Sequence, residues 1–263
     1  YLALVLWMQG YPDQASQAKD SAKDLARDLD HPYSSGYAAS FAAMLLQLQR
    51  RLAGCYDQAG EALQIGRDRR FPLWQAIGAM ARGWVTALQG DPEQGVIELV
   101  QGLATWEASG AMLALPFQRT LLAEAFLVAG EGEKGFQALA GSFCCPQDVW
   151  WLPEQYRLQG ELLLLEAEHE AEARNSIEQA LSLAGDSHAR LLELRAAVSL
   201  ARLLHRQGQT GQAHEVLVSR YAWFQEGFDL PDLQRAKDLL EELRSATGRQ
   251  EQPAGVESSA GTR

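Results

Sequence analysis

The chain has 263 residues, 47% of them hydrophobic and 22% charged, with a formal net charge of -11. That is the composition of a globular protein with ample core material, and its acidity excludes non-specific nucleic-acid binding and adhesion to anionic membranes, both of which need basic surface. Three cysteines, of which only Cys144 and Cys145 are close and those adjacent, exclude a disulfide framework and point to a reducing, cytoplasmic setting.

No apolar run in the sequence reaches the roughly 18 residues of a membrane helix, and no signal peptide is visible. The sequence opens at Tyr1 in mid-pattern, so it reads as a piece of a longer polypeptide.

In chain order, a short pattern returns: "MQGYPDQA" (8–15), "LAGCYDQA" (52–59), "LQGDPEQG" (88–95), "VAGEGEKG" (128–135) and "RQGQTGQA" (206–213), with "LEAEHEAEA" (165–173) filling the remaining gap. Each has a Gly, four variable residues, then Ala or Gly; in the gap-filling stretch Ala167 replaces the turn glycine. The mean spacing is about 40 residues, the sign of a repeat array. Twelve positions before each final small residue stand Ala3, Gln47, Gly83, Ala123, Gly160 and Ala201, all small but one. Leu63, Leu99, Leu139, Ile177 and Leu217 follow four positions after the later mark. Apolar residues spaced by three and four on both sides of a turn define a helical hairpin. The glycine ends the first helix in the left-handed conformation, proline and aspartate open the second at Pro12, Asp13, Asp91 and Pro92, and the small residues let the two helices cross closely. No period-two segment competes, so no sheet is expected.

The stretch 144–161, "CCPQDVWWLPEQYRLQGE", has the look of a reactive centre. Adjacent cysteines lack the spacing and the further ligands of a metal site, and the repeat places 144–149 between two hairpins. Trp150 and Trp151 then begin a first helix, with Pro153 in its first turn. The five histidines show no metalloprotease spacing. Asp229 and Asp232 are read as the entry to a final helix rather than as an acid/base pair, with Asp229 as its cap. That helix would close the open face of the last hairpin, stapled by Trp223, Phe224 and Phe228. The tail 247–263, "TGRQEQPAGVESSAGTR", cannot bury enough surface to order itself.

The spacing of the small residues resembles tetratricopeptide repeats, with units about half a dozen residues longer. The segments "YRLQGELLL", "LELRAAVSLARLL" and "YAWFQEGFDLPDLQRAKDLLEEL", over about 150–243, resemble the C-terminal repeat region of bacterial proteins in which a class III adenylate or guanylate cyclase is fused to an AAA/STAND-type ATPase. Long units are also similar to those of maltose-regulator-type (LuxR-family) transcription activators. The resemblance implies an all-α, right-handed superhelical solenoid of about six hairpins over 1–246 with a capping helix. Neither cyclase metal aspartates nor a GxxxxGK[ST] phosphate loop can be placed on the chain, so no catalytic residue, cofactor or metal is expected and the chain is not read as an enzyme. The first helix of each hairpin would line the concave surface. Phe41, Met44, Ile77, Met80 and Trp84 make its first half apolar; Glu124, Glu154, Arg157, Glu161, Arg195, Arg202 and His205 make its second half charged. Trp84 and these seven charged or titratable residues are the candidate partner-binding groove, for a protein or peptide or for upstream domains of the same polypeptide.

Overall fold

The computed structural model describes residues 1–111, 114–144 and 149–250, with the side chains of 144, 167 and 247–250 left aside. The described residues form an all-α solenoid without a β-strand. Six hairpins follow one another: α1 (Leu2–Met8) with α2 (Pro12–Asp28), α3 (Pro32–Leu48) with α4 (Leu52–Arg69), α5 (Pro72–Leu88) with α6 (Pro92–Ala108), α7 (Leu115–Val128) with α8 (Gly132–Ala140), α9 (Leu152–Leu163) with α10 (Glu170–Asp186), and α11 (Arg190–Arg206) with α12 (Thr210–Tyr221). Helix α13 (Pro231–Gln250) closes the array against α11 and α12. It runs four residues into the segment expected to be a disordered tail; 251–263 lie outside the described residues.

The period is sharper than the sequence pattern implied. Seventeen-residue helices recur, separated by three-residue turns, and left-handed residues fall at Gly10, Asp30, Arg50, Arg70, Gly90, Gly110 and Gly130, one every 20 positions. At Gly10 the geometry is a Schellman cap: its N–H donates to the Trp7 carbonyl (3.0 Å), and the Tyr11 N–H donates to the Leu6 carbonyl (2.9 Å). The same pair of bonds recurs around Arg50, where Arg51 N–H reaches the Leu46 carbonyl (2.9 Å). Proline then opens the next helix, at the first or second position of seven of them; its missing N–H has no intrahelical partner to lose there.

This resets the second repeat. Gly54, expected as a turn, lies inside α4, and Arg50 fills the turn with φ +57°. The small pair is therefore Ala43 and Cys55, both fully buried, rather than Gln47 and Ala59. With that shift, Ala3, Ala43, Gly83 and Ala123 stand 40 apart, as do Ala15, Cys55, Gly95 and Gly135. Their smallness is required: a Cβ on Gly83 would lie 2.7 Å from the Gly95 carbonyl oxygen, and one on Gly95 would lie 2.5 Å from that of Gly83. The extra length relative to a 34-residue unit thus sits in the helices.

The end of the chain returns to its beginning. Helix α1 touches α11, the Trp223 ring covers Gly10 and packs edge-on to Tyr11, and Arg190 lies over that ring at 5.4 Å. The Glu226 carboxylate accepts the backbone N–H groups of Asp13 (3.0 Å) and Gln14 (3.3 Å), in return for which the Asp13 carboxylate accepts the Gly227 N–H (3.2 Å). Helix α2 has no side-chain cap of its own; Glu226 supplies one from 213 residues away. Asp229 does not cap α13. It pairs with Arg51 (2.5 Å), a second bond between the two ends of the array. Of the three aromatic residues expected to staple α13, Phe224 is buried, Trp223 is spent on this closure, and Phe228 is exposed. The six hairpins consequently form a closed ring with the odd-numbered helices inside.

Candidate functional site

The inner face has two contrasting halves. In the first, α1, α3 and α5 present apolar residues at matching positions, and an apolar cavity of about 420 Å³ opens between them. Phe41, Met44 and Ile77, which the resemblance put on the inner face, line it, while Met80 is buried in the core behind the wall. The deeper wall comes from residues the sequence reading did not place there: Ser40, Trp74, Trp106 and Gln118 are each no more than 6% exposed. Tyr37 stacks on Phe41 at 4.6 Å and meets Trp74 edge-on at 5.5 Å. Burial, with Tyr1 beside it, holds the Tyr37 phenol neutral by pushing its pKa up. The indole N–H groups of Trp74 and Trp106 are buried without a hydrogen-bond partner among the described residues.

In the second half the inner helices converge on a layer of ion pairs at the ring axis. Arg50 pairs with Glu124 (2.5 Å), whose other oxygen accepts the Trp84 indole N–H (2.8 Å), and Arg50 lies over the Trp84 ring. Arg157 grips Glu154 through two N–H groups (2.9 and 2.7 Å) and reaches Glu161 at 3.5 Å. Arg195 donates to Asp232 (2.8 Å) and to the Leu48 carbonyl (2.5 Å), lies 3.6 Å from Glu154, and covers the Trp7 ring at 5.0 Å. Ser199 donates to Glu161 (2.5 Å). The groups come from α1, the α3–α4 turn, α5, α7, α9, α11 and α13, so one layer ties every hairpin and the closing helix together.

Glu154 is the centre of this layer, 2% exposed. Burial alone would raise its pKa; Arg157, Arg195 and Arg50 overcome that and hold it down at about 2. Arg157 and Arg50 answer in the opposite sense: burial disfavours their charge, and the surrounding carboxylates more than restore it. The layer is nearly filled, with about 10 Å³ of free space. On its far side lies a polar cavity of about 100 Å³, with Arg202 and Arg235 at its edge.

Seven of the eight candidate residues are thus brought together: Trp84, Glu124, Glu154, Arg157, Glu161 and Arg195 in or beside the ionic layer, and Arg202 at the polar cavity. His205 stands apart, against Thr210 (3.2 Å) and Glu242 of α13 (3.6 Å). The sequence reading missed Arg50, Asp232 and Trp7. Arg50 was legible only in the corrected register, as the turn within a hairpin where arginine stands in place of glycine. Cys55 is fully buried and its thiol is pushed up by burial, hence inert. The Cys144 side chain and Cys145 lie outside the described residues. Trp151 closes over Thr120, to which its indole donates (2.7 Å).

Fold and site together define an all-α solenoid of helical hairpins whose ends meet around an internal cavity and an ionic core. No family model matches the chain, and no curated protein matches it. No described helix is long and apolar enough to cross a membrane.

Proposed function

We propose that the chain is a non-catalytic recognition and regulatory module that binds a protein partner or neighbouring domains of its own polypeptide. The observation that carries this reading is the state of the axial carboxylates: Glu124, Glu154, Glu161 and Asp232 are each engaged by arginine. None is left as a free acid or base, and a pKa near 2 is far from that of a general base at neutral pH. What such a ring offers a partner is surface and curvature, since each hairpin packs chiefly on its neighbours. The quoted resemblance over about 150–243 supports a parent protein with an upstream ATPase and nucleotide cyclase, to which this module would transmit a signal from the cytoplasm. Sequencing the reading frame on both sides of the chain tests that parentage. An upstream phosphate loop and cyclase are expected; a downstream helix-turn-helix would sink it.

The apolar cavity favours a second reading, an effector-sensing repeat domain of the maltose-regulator (LuxR-family) type. Its walls come from four consecutive hairpins and from Trp150 ahead of α9, so a molecule held there would bear on their relative setting.

A further inference from the structure

We propose that the cavity between α1, α3 and α5 is a binding site for a small, uncharged, aromatic molecule. The inference rests on the effector-sensing reading and leaves the protein-binding reading untouched. Volume is the first argument: about 420 Å³ lies within the range of roughly 300–1,000 Å³ that small-ligand sites occupy. Charge is the second. No charged side chain lines the cavity among the described residues, although 22% of the chain is charged, so an ionic ligand would lose its hydration without a counter-charge.

Shape is the third argument, and it separates a small molecule from a peptide. An extended peptide needs a groove that runs on. Here the ring is closed by Trp223 and Glu226, and the cavity ends at the packed ionic layer of Arg50, Trp84, Glu124 and Glu154. Ser40, Trp74 and Gln118 on its floor are buried, whereas Tyr33 at its rim is 45% exposed. The ring faces of Tyr37, Phe41, Trp74 and Trp150 suit stacking or edge contacts with a planar ligand. The Ser40 hydroxyl donates to the Gly36 carbonyl (2.8 Å), which leaves its oxygen able to accept from one polar group of the ligand.

The test uses the chain as it stands and N-phenyl-1-naphthylamine, a neutral fluorophore made of a naphthyl and a phenyl group, with its anionic analogue 1-anilinonaphthalene-8-sulfonate and the disaccharide maltose as comparisons. Saturable one-to-one binding of the neutral probe, with a Kd on the order of 1–100 µM, is expected. The anionic analogue should bind at least about tenfold more weakly. Ile77→Trp, which fills the cavity, should weaken the neutral probe by about tenfold or more, and Arg174→Ala, on the outer helix α10, should leave it unchanged. Leu4→Trp, on the short first helix, repeats the filling test if Ile77→Trp lowers the melting temperature. Binding that is unsaturable, that ignores both filling variants, or that prefers the anion overturns the proposal. So does binding of an aromatic peptide where the free probe fails. A melting-temperature shift with maltose alone overturns it while sparing the effector reading; no shift or binding with any of the three removes both.

Discussion

Glu154 shows how a buried charge is tolerated. It is fully ionised because three guanidinium groups surround it, and removing it would leave Arg157 and Arg195 underpaired in a dry layer. Glu154→Gln is therefore expected to cost roughly 3–5 kcal/mol, read from urea denaturation at pH 7. The pH dependence follows from the sign of the shift. A carboxyl whose folded pKa is depressed contributes stability that is fully present above its ordinary value of 4.5 and is lost as pH falls toward about 2. The wild-type chain should lose stability steeply across that window, and Glu154→Gln should flatten the loss; an unchanged acid limb would remove Glu154 from its cause. At this scale the sequence was half legible. The 40-residue period put Glu124, Glu154, Arg157 and Arg195 on one face, but it could not say that they pair with each other. That depends on Arg50 and Asp232, one in a turn and one on the closing helix, which no single-helix spacing connects to α9.

Among the elements, the unit is one helix and one turn, 20 residues. The sequence pattern displayed 40 because glycine marks mainly the turns within hairpins; between hairpins Gly110 is joined by Asp30, Arg70 and His188 in the same left-handed conformation. A side chain there is strained. Arg70→Gly should relieve the strain and raise stability by up to about 1 kcal/mol, net of the added freedom of the unfolded chain, as a small rise in melting temperature. The opposite holds at the helix crossing: Gly95→Val must part α5 from α6, since even a Cβ meets the Ala87 backbone nitrogen at 2.6 Å. A loss of about 3 kcal/mol or more is expected. Tolerance of valine there would mean that the close approach is not needed. Hairpin number and helix type were readable from these small residues, whereas Gly54 misled the register of the second repeat because a glycine inside a helix is indistinguishable in sequence from one that ends it.

Over the whole molecule the unexpected property is closure. Nothing periodic in a sequence announces whether a superhelix will meet its own start; that depends on a small rotation per hairpin accumulated over six of them. The contacts that exploit it are local departures from the repeat, Trp223 and Glu226 in the connection before α13. Glu226→Ala should remove the cap on α2 and cost about 0.5–2 kcal/mol. In hydrogen exchange, the amides of Asp13 and Gln14 should lose protection more than those of α5 or α6. Equal loss everywhere would mean that the ring opens only on global unfolding.

The bond from Glu226 to Asp13 also has a consequence in time. A chain made from its N-terminus at about 5–20 residues per second emerges with the first turn of α2 uncapped. Its cap arrives only after the intervening 213 residues, an interval of roughly 10–40 s. Ordinary hairpin arrays can mature as they are made, each unit settling on the one before. Here the first hairpin is finished by the last connection, so the nascent protein spends its synthesis as an open arc whose apolar lining faces the cell.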